Sequence, residues 1–271
     1  MTLITVALFA ALFSASRYLP IGGRAHDQVI LELLGWNAMP LDLIWAAHLG
    51  AVGALLFFLR HEWVSVIIGV FRMLGYRRRP QTLDETLPLY LLLILAPASV
   101  IYAALRYFSY PGELFVGCLV PALLLIWAER RSRQSKRFLD WNASFSIALG
   151  LTLGLSALPG FDVVWIVLFI GFLFDFGREA LYKIALFVLL PVLGIETALA
   201  RIQLLENASQ SSNSPLYFWG VLGVSTLCGI LILYGMSTAL KLRNFERLMY
   251  YRVIIALGLA IKLYVLPILG L

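Results

Sequence analysis

The chain has 271 residues, of which 61% are hydrophobic and 13% charged, with a formal net charge of +6 and a mean hydropathy of +0.89. Soluble domains carry about 25% charged and about 45–50% apolar residues. The composition therefore excludes a soluble globular enzyme and specifies an all-α integral membrane protein. The positive charge does not mark a nucleic-acid binder. It is concentrated at Arg77-Arg78-Arg79 and at Arg130, Arg131, Arg133, Lys136 and Arg137, in short loops between apolar runs. That distribution orients a membrane protein with its basic loops in the cytoplasm.

Taken in order, residues 3–19 form an apolar run that stops at Pro20, and a short segment follows to residue 36. Together they predict a re-entrant hairpin over 3–36. Residues 41–59 suit a full crossing, since about 20 apolar residues span a bilayer; 60–79 reads as an interfacial linker. Residues 87–105 and 114–128 are two further crossings. The second half repeats this order, with an apolar run over 143–158 broken at Pro159-Gly160 and a second, short one over 163–174. These predict a second hairpin over 143–176, then crossings at 184–199, 216–240 and 253–269. One hairpin and three crossings, twice, divide the chain into 1–137 and 138–271. An odd number of crossings per half makes the two halves inverted repeats, with both termini outward, as in many transport folds.

The two breaks hold the candidate chemistry. Arg17, Arg24 and His26 surround Pro20, Gly22 and Gly23, and Asp162 follows Pro159-Gly160-Phe161. An ionisable group at membrane depth costs roughly 2.5–3.5 kcal/mol on insertion scales, so it needs a partner or a ligand. Arg17 and Arg24 suit phosphate oxygens through their guanidinium forks, and the Gly22-Gly23 backbone suits an anion-binding nest. The competing reading has the arginines snorkelling to the interface, or one of them pairing with Asp27 or Glu32. Asp162 is expected within salt-bridge reach of Arg17 or Arg24, as a structural pair in preference to a catalytic acid. His26 is a candidate proton carrier. His48 and His61 read as structural, and Arg178 with Glu179 as an ion pair without chemistry. Cys118 and Cys228 lack metal-ligand or disulfide spacing, and neither a metal nor an organic cofactor is implied.

Leu19-Pro20-Ile21, His26 and Leu33-Leu34-Gly35 resemble the first motif of the undecaprenyl pyrophosphate phosphatase (bacitracin-resistance) family, E-x-x-x-E-F-L-P-[IV]-S-S-x-G-H. Pro159-Gly160-Phe161 is similar to the start of its second motif, P-G-x-S-R-S-G, and Arg178-Glu179-Ala180 to the S-R-E-A that follows. Tyr250-Tyr251-Arg252-Val253-Ile254 and Gly258 resemble its last helix. The likeness runs over nearly the whole chain. It implies the inverted-repeat fold, the bacterial inner membrane and a polyprenyl pyrophosphate substrate. It also implies a site whose two Glu positions fall on Phe13 and Arg17, whose paired Ser positions fall on Gly22 and Gly23, and whose S-R-S falls on Asp162, Val163 and Val164. His26 alone remains of the polar set.

Three functions follow. The preferred one is a catalytically degenerate family member that binds, presents or moves a polyprenyl phosphate lipid through Arg17, Gly22, Gly23, Arg24 and His26. The second is a working diphosphatase using His26, Arg17 and Arg24 with a relocated acid, Asp162 or Asp27. The third is a structural subunit of a homodimer or a larger membrane complex.

Overall fold

A computed structural model of the chain describes residues 3–23, 27, 39–76, 79–108, 113–212, 214–242 and 245–261. Among these it is all-helical: α1 Leu3–Tyr18, α2 Leu41–Phe58, α3 Arg60–Gly75, α4 Leu83–Leu105, α5 Glu113–Arg131, α6 Ala143–Leu153, α7 Val163–Leu173, α8 Arg178–Glu206, α9 Pro215–Leu242 and α10 Glu246–Ala260. Within lipid only helices and closed barrels satisfy every backbone polar group, and apolar runs of this length take the helical solution.

Four helices among the described residues are long and apolar enough to cross a membrane: α2, α4, α8 and α9. α5 closes on Glu129-Arg130-Arg131. α10 is described for 15 residues, the rest of the expected last crossing lying outside the described residues. α8, with 29 residues, is about 43 Å long at 1.5 Å per residue, so it reaches beyond the hydrocarbon or tilts within it. The expected linker after α2 is itself a helix. In α3 only Val66 is buried, while Val64, Ile67, Ile68, Phe71 and Leu74 are exposed. Flanked by Arg60 and Arg72, that apolar face suits a helix lying in the interface.

The second break lies between two short helices. α6 tightens into a 3₁₀ turn at Gly154–Ala157, the chain breaks over 158–162, and α7 returns. α7 has 11 residues, about 16 Å, or half a bilayer. It is apolar on every side, and nine of those residues are buried, as a helix without a polar face must be. Of residues 3–36, expected as the first hairpin, α1 and the break at 19–23 are described; residues 24–26 and 28–38 lie outside the described residues.

Each short limb packs on a long helix, α1 on α9 and α6 on α4, while α2 packs on both α8 and α9, and α5 on α10. Lipid tails are as apolar as Leu, so close contact and internal hydrogen bonds must hold such helices together. Ala46, Ala47, Ala51 and Ala54 of α2 are fully buried and let α9 approach. There the Ser225 hydroxyl donates to the Ala47 carbonyl at 2.9 Å, and the Ser14 hydroxyl of α1 meets Ser225 at 2.8 Å.

Candidate functional site

The two chain breaks meet. Asp162 starts α7 as its N-cap, with Oδ1 accepting the Trp165 N–H at 2.7 Å; a cap of this kind is worth about 1 kcal/mol. Its other oxygen, Oδ2, accepts the Gly22 N–H from the first break at 2.8 Å, and the Gly23 N–H adds to it. Both tips turn through a left-handed glycine, Gly22 at φ +87° and Gly160 at φ +85°, a conformation costing other residues about 1–2 kcal/mol. A Cβ on Gly160 would also collide with the Gly117 carbonyl of α5, whereas one on Gly22 would meet the Arg252 guanidinium at 3.0 Å.

Arg252, on α10, is fully buried and ties the two breaks together. Its guanidinium donates to the Pro20 carbonyl at 3.2 Å, to the Gly160 carbonyl at 2.8 Å and to the Gly117 carbonyl at 2.7 Å. The last acceptor has a local cause. Pro121 sits inside α5 and has no N–H to offer the carbonyl four residues earlier, which leaves the Gly117 oxygen for Arg252. Trp165 anchors the same stretch through its indole N–H, which donates to the Pro121 carbonyl at 2.8 Å. The Arg252 charge acts on Asp162 across the junction.

Beside this junction lies a small cavity of about 40 Å³ lined by Ser16, Arg17, Gly22, Gly23, Ser156, Asp162 and Glu196, among others. A water needs about 10–15 Å³ on this measure, so the space suits about three waters, the size class of a phosphate group and far below that of a lipid chain. Arg17 forms one wall. Its guanidinium lies over the Phe13 ring at 4.5 Å and pairs with Asp27 at 3.2 Å and with Glu196 of α8 at 3.8 Å. The site thus mixes cations, carboxylates and backbone N–H groups. No cluster of His, Cys, Asp or Glu among the described residues is placed to hold a metal ion.

Arg17, Gly22, Gly23 and Asp162 line one cavity; Arg24 and His26 lie outside the described residues. Arg17 takes Asp27, the partner that the competing reading offered, and Glu196, while Asp162 is held by its cap and by the Gly22 N–H; the alternative partner expected for Asp162, Arg24, lies outside the described residues. One correction concerns Arg178. It pairs with Glu129 of α5 at 2.6 Å in place of Glu179, since one helical step separates neighbouring side chains by about 100°. His48 is buried and stands edge-on to Phe13, with ring centroids 4.9 Å apart, a packing contact. Cys118 and Cys228 are free thiols.

Sequence reasoning missed two residues. Arg252 was legible as an ionisable residue inside an apolar run, which by itself signals function; it was read only as part of a family-like helix. Glu196 carried the same signal within 184–199, but nothing in sequence spacing joins it to Arg17, 179 positions away.

Comparison with known proteins shows the family. Residues 6–258 match the family described as Bacitracin resistance protein BacA. The chain is 23% identical to the undecaprenyl-diphosphatase of Jannaschia sp. (strain CCS1), over 97% of this chain and 100% of that protein. It is 26% identical to the undecaprenyl-diphosphatase of Magnetococcus marinus, over 94% of this chain and 97% of that protein. It is 21% identical to undecaprenyl-diphosphatase 1 of Pseudoalteromonas translucida, over 97% and 99%. With a family match over nearly its full length and two chain breaks joined at one polar junction, the chain belongs to the bacitracin resistance protein family of integral membrane proteins.

Proposed function

We propose that this protein is a polyprenyl pyrophosphate phosphatase-like membrane protein that holds a lipid phosphate head group beside its two chain breaks and hydrolyses it slowly or not at all. One observation carries the reading: the Asp162 carboxylate sits on the Gly22 N–H, with the Gly23 N–H directed at it too. Phosphoryl transfer depends on donors aimed at charge that develops in the transition state. Here an internal anion already takes the glycine donors that a phosphoryl oxygen would use. Around the cavity, Asp162, Glu196 and Asp27 also offset the positive charge of Arg17 and Arg252. The space itself and the Arg17 fork fit a phosphate group.

A second reading has its own support. Glu196 and Asp27 flank Arg17, so a carboxylate stands near the cavity even though Phe13 and Arg17 occupy the family's acid positions. Such a group would position an attacking water. Phosphate release from farnesyl pyrophosphate by the purified protein separates the two. Losing one oxyanion donor costs about 10²–10³ in rate, so the first reading expects release at least about a hundredfold below an intact family enzyme assayed in parallel. Turnover similar to that enzyme, abolished by Glu196→Gln, would replace it with the second.

A further inference from the structure

α8 lines two separate cavities along one face. Leu189, Val192 and Glu196 face the small cavity at the chain breaks. Tyr182, Lys183 and Leu186, one to two turns earlier, face a much larger one of about 760 Å³ at the basic end of the bundle.

We infer that this second cavity is a binding site for a phosphate monoester carried on an apolar chain, distinct from the site at the breaks. Its polar wall is basic. Lys136, Arg137, Arg178 and Lys183 line it, against Glu62 and Glu179. Two of the cations are committed, Lys183 to Glu62 at 3.0 Å and Arg178 to Glu129 at 2.6 Å. Lys136 and Arg137 have no carboxylate partner among the described residues; the Lys136 ammonium lies over the Phe174 and Phe176 rings at 5.8 and 5.6 Å. The first turn of α8, Arg178 to Ala180, opens into the same space, and its Gly177 cap offers no side chain to the free N–H groups. Uncapped N–H groups and the positive end of the helix dipole favour an anion.

The loop bearing the free cations is held in place. Lys136 N–H donates to the Asp175 carbonyl, and Gly177 N–H donates back to the Lys136 carbonyl, both at 2.9 Å. Gln134 and Asp175 are the two non-glycine residues with positive φ among the described residues, at 51° and 64°, and the Asp175 carboxylate accepts the Arg133 N–H at 2.8 Å. The opposite wall is apolar, formed by Phe58, Leu59, Leu186 and Leu240. A free inorganic ion would leave that wall unused, whereas a phosphorylated lipid would lay the start of its chain along it. The cavity at the breaks has the opposite character, being small and already balanced by its own carboxylates.

Calorimetric titration of the full chain in detergent with farnesyl monophosphate, and separately with inorganic phosphate, tests the site. Farnesyl monophosphate should bind, and the Lys136→Gln/Arg137→Gln variant should bind it about tenfold more weakly, the loss expected for charge-assisted contacts. Repeating both titrations in an Arg17→Gln background removes the contribution of the site at the breaks, and the tenfold difference made by Lys136 and Arg137 should persist there, so a failure of the reading at the breaks would not touch it. Acetylation footprinting of the unmutated protein guards against a misfolded variant, because bound ligand should shield Lys136 several-fold. Shielding by inorganic phosphate to the same degree would support the site with a free anion as its occupant. No shielding by either probe, or binding lost with Arg17→Gln and unaffected at Lys136 and Arg137, would overturn it.

Discussion

The two chain breaks differ in what they bring to the junction. The first, over 19–23, contributes donors: the Gly22 and Gly23 N–H groups, with Arg17 one turn before them. The second, over 158–162, contributes an acceptor, Asp162, and is wedged so closely against α5 that Gly160 has no room for a side chain. Both turn through glycine at nearly the same φ, and both give a carbonyl to Arg252. Similar backbones with opposite chemistry make the junction self-satisfying. A buried ion is tolerable only when paired or hydrogen-bonded, and here the counter-anion is part of the chain.

The largest expected effect comes from removing what both breaks share. Arg252→Ala leaves three carbonyls without their donor and Asp162 without the facing charge, so thermal unfolding in detergent should report a loss of about 3–5 kcal/mol. A loss below about 1 kcal/mol, the scale of one ordinary hydrogen bond, would mean that the two breaks hold together without it.

Substituting the turn glycines then sets one break against the other. Both replacements meet the left-handed penalty of about 1–2 kcal/mol. Gly160→Ala also drives its Cβ into the Gly117 backbone, whereas Gly22→Ala meets only the end of the Arg252 side chain. Gly160→Ala should therefore lower the unfolding temperature more, and the reverse order would show that the tight wedge lies at the first break.

The most informative change in binding comes from Asp162→Asn. Asn caps a helix about as well as Asp, but it has one acceptor oxygen for the two that Asp162 uses, so the Gly22 N–H loses its partner and stability should fall by about 1–3 kcal/mol. Removing the internal anion should tighten farnesyl monophosphate at the breaks by roughly tenfold, the scale of one nearby like charge at an intermediate dielectric. Measuring this in the Lys136→Gln/Arg137→Gln background isolates the interior site. Unchanged or weaker binding would mean that Asp162 does not compete with the phosphate.

Much of the architecture was legible because lipid imposes simple rules. Apolar runs of about 20 residues become spanning helices, and α2 and α9 appear within a few residues of where hydropathy places them. Pro20-Ile21-Gly22-Gly23 and Pro159-Gly160 mark breaks because proline removes a donor and glycine permits a positive φ. The helical form of 60–75 was harder to see, since its apolar and charged residues alternate at the period of an interface helix and never form a long run.

What the sequence by itself determined is therefore the class, the positions of the helices and breaks, and the set of groups available at each break. Those follow from local composition and backbone stereochemistry. Which charge meets which was decided by the tertiary structure, Asp27 beside Arg17 being the one partner that the sequence had offered. Arg17 turned to Asp27 and Glu196, Arg178 to Glu129, and Asp162 to the Gly22 N–H and the field of Arg252. Partners far apart in the chain leave no periodicity or spacing to read, and their energy depends on distance and solvent exposure, which exist only once the helices have packed.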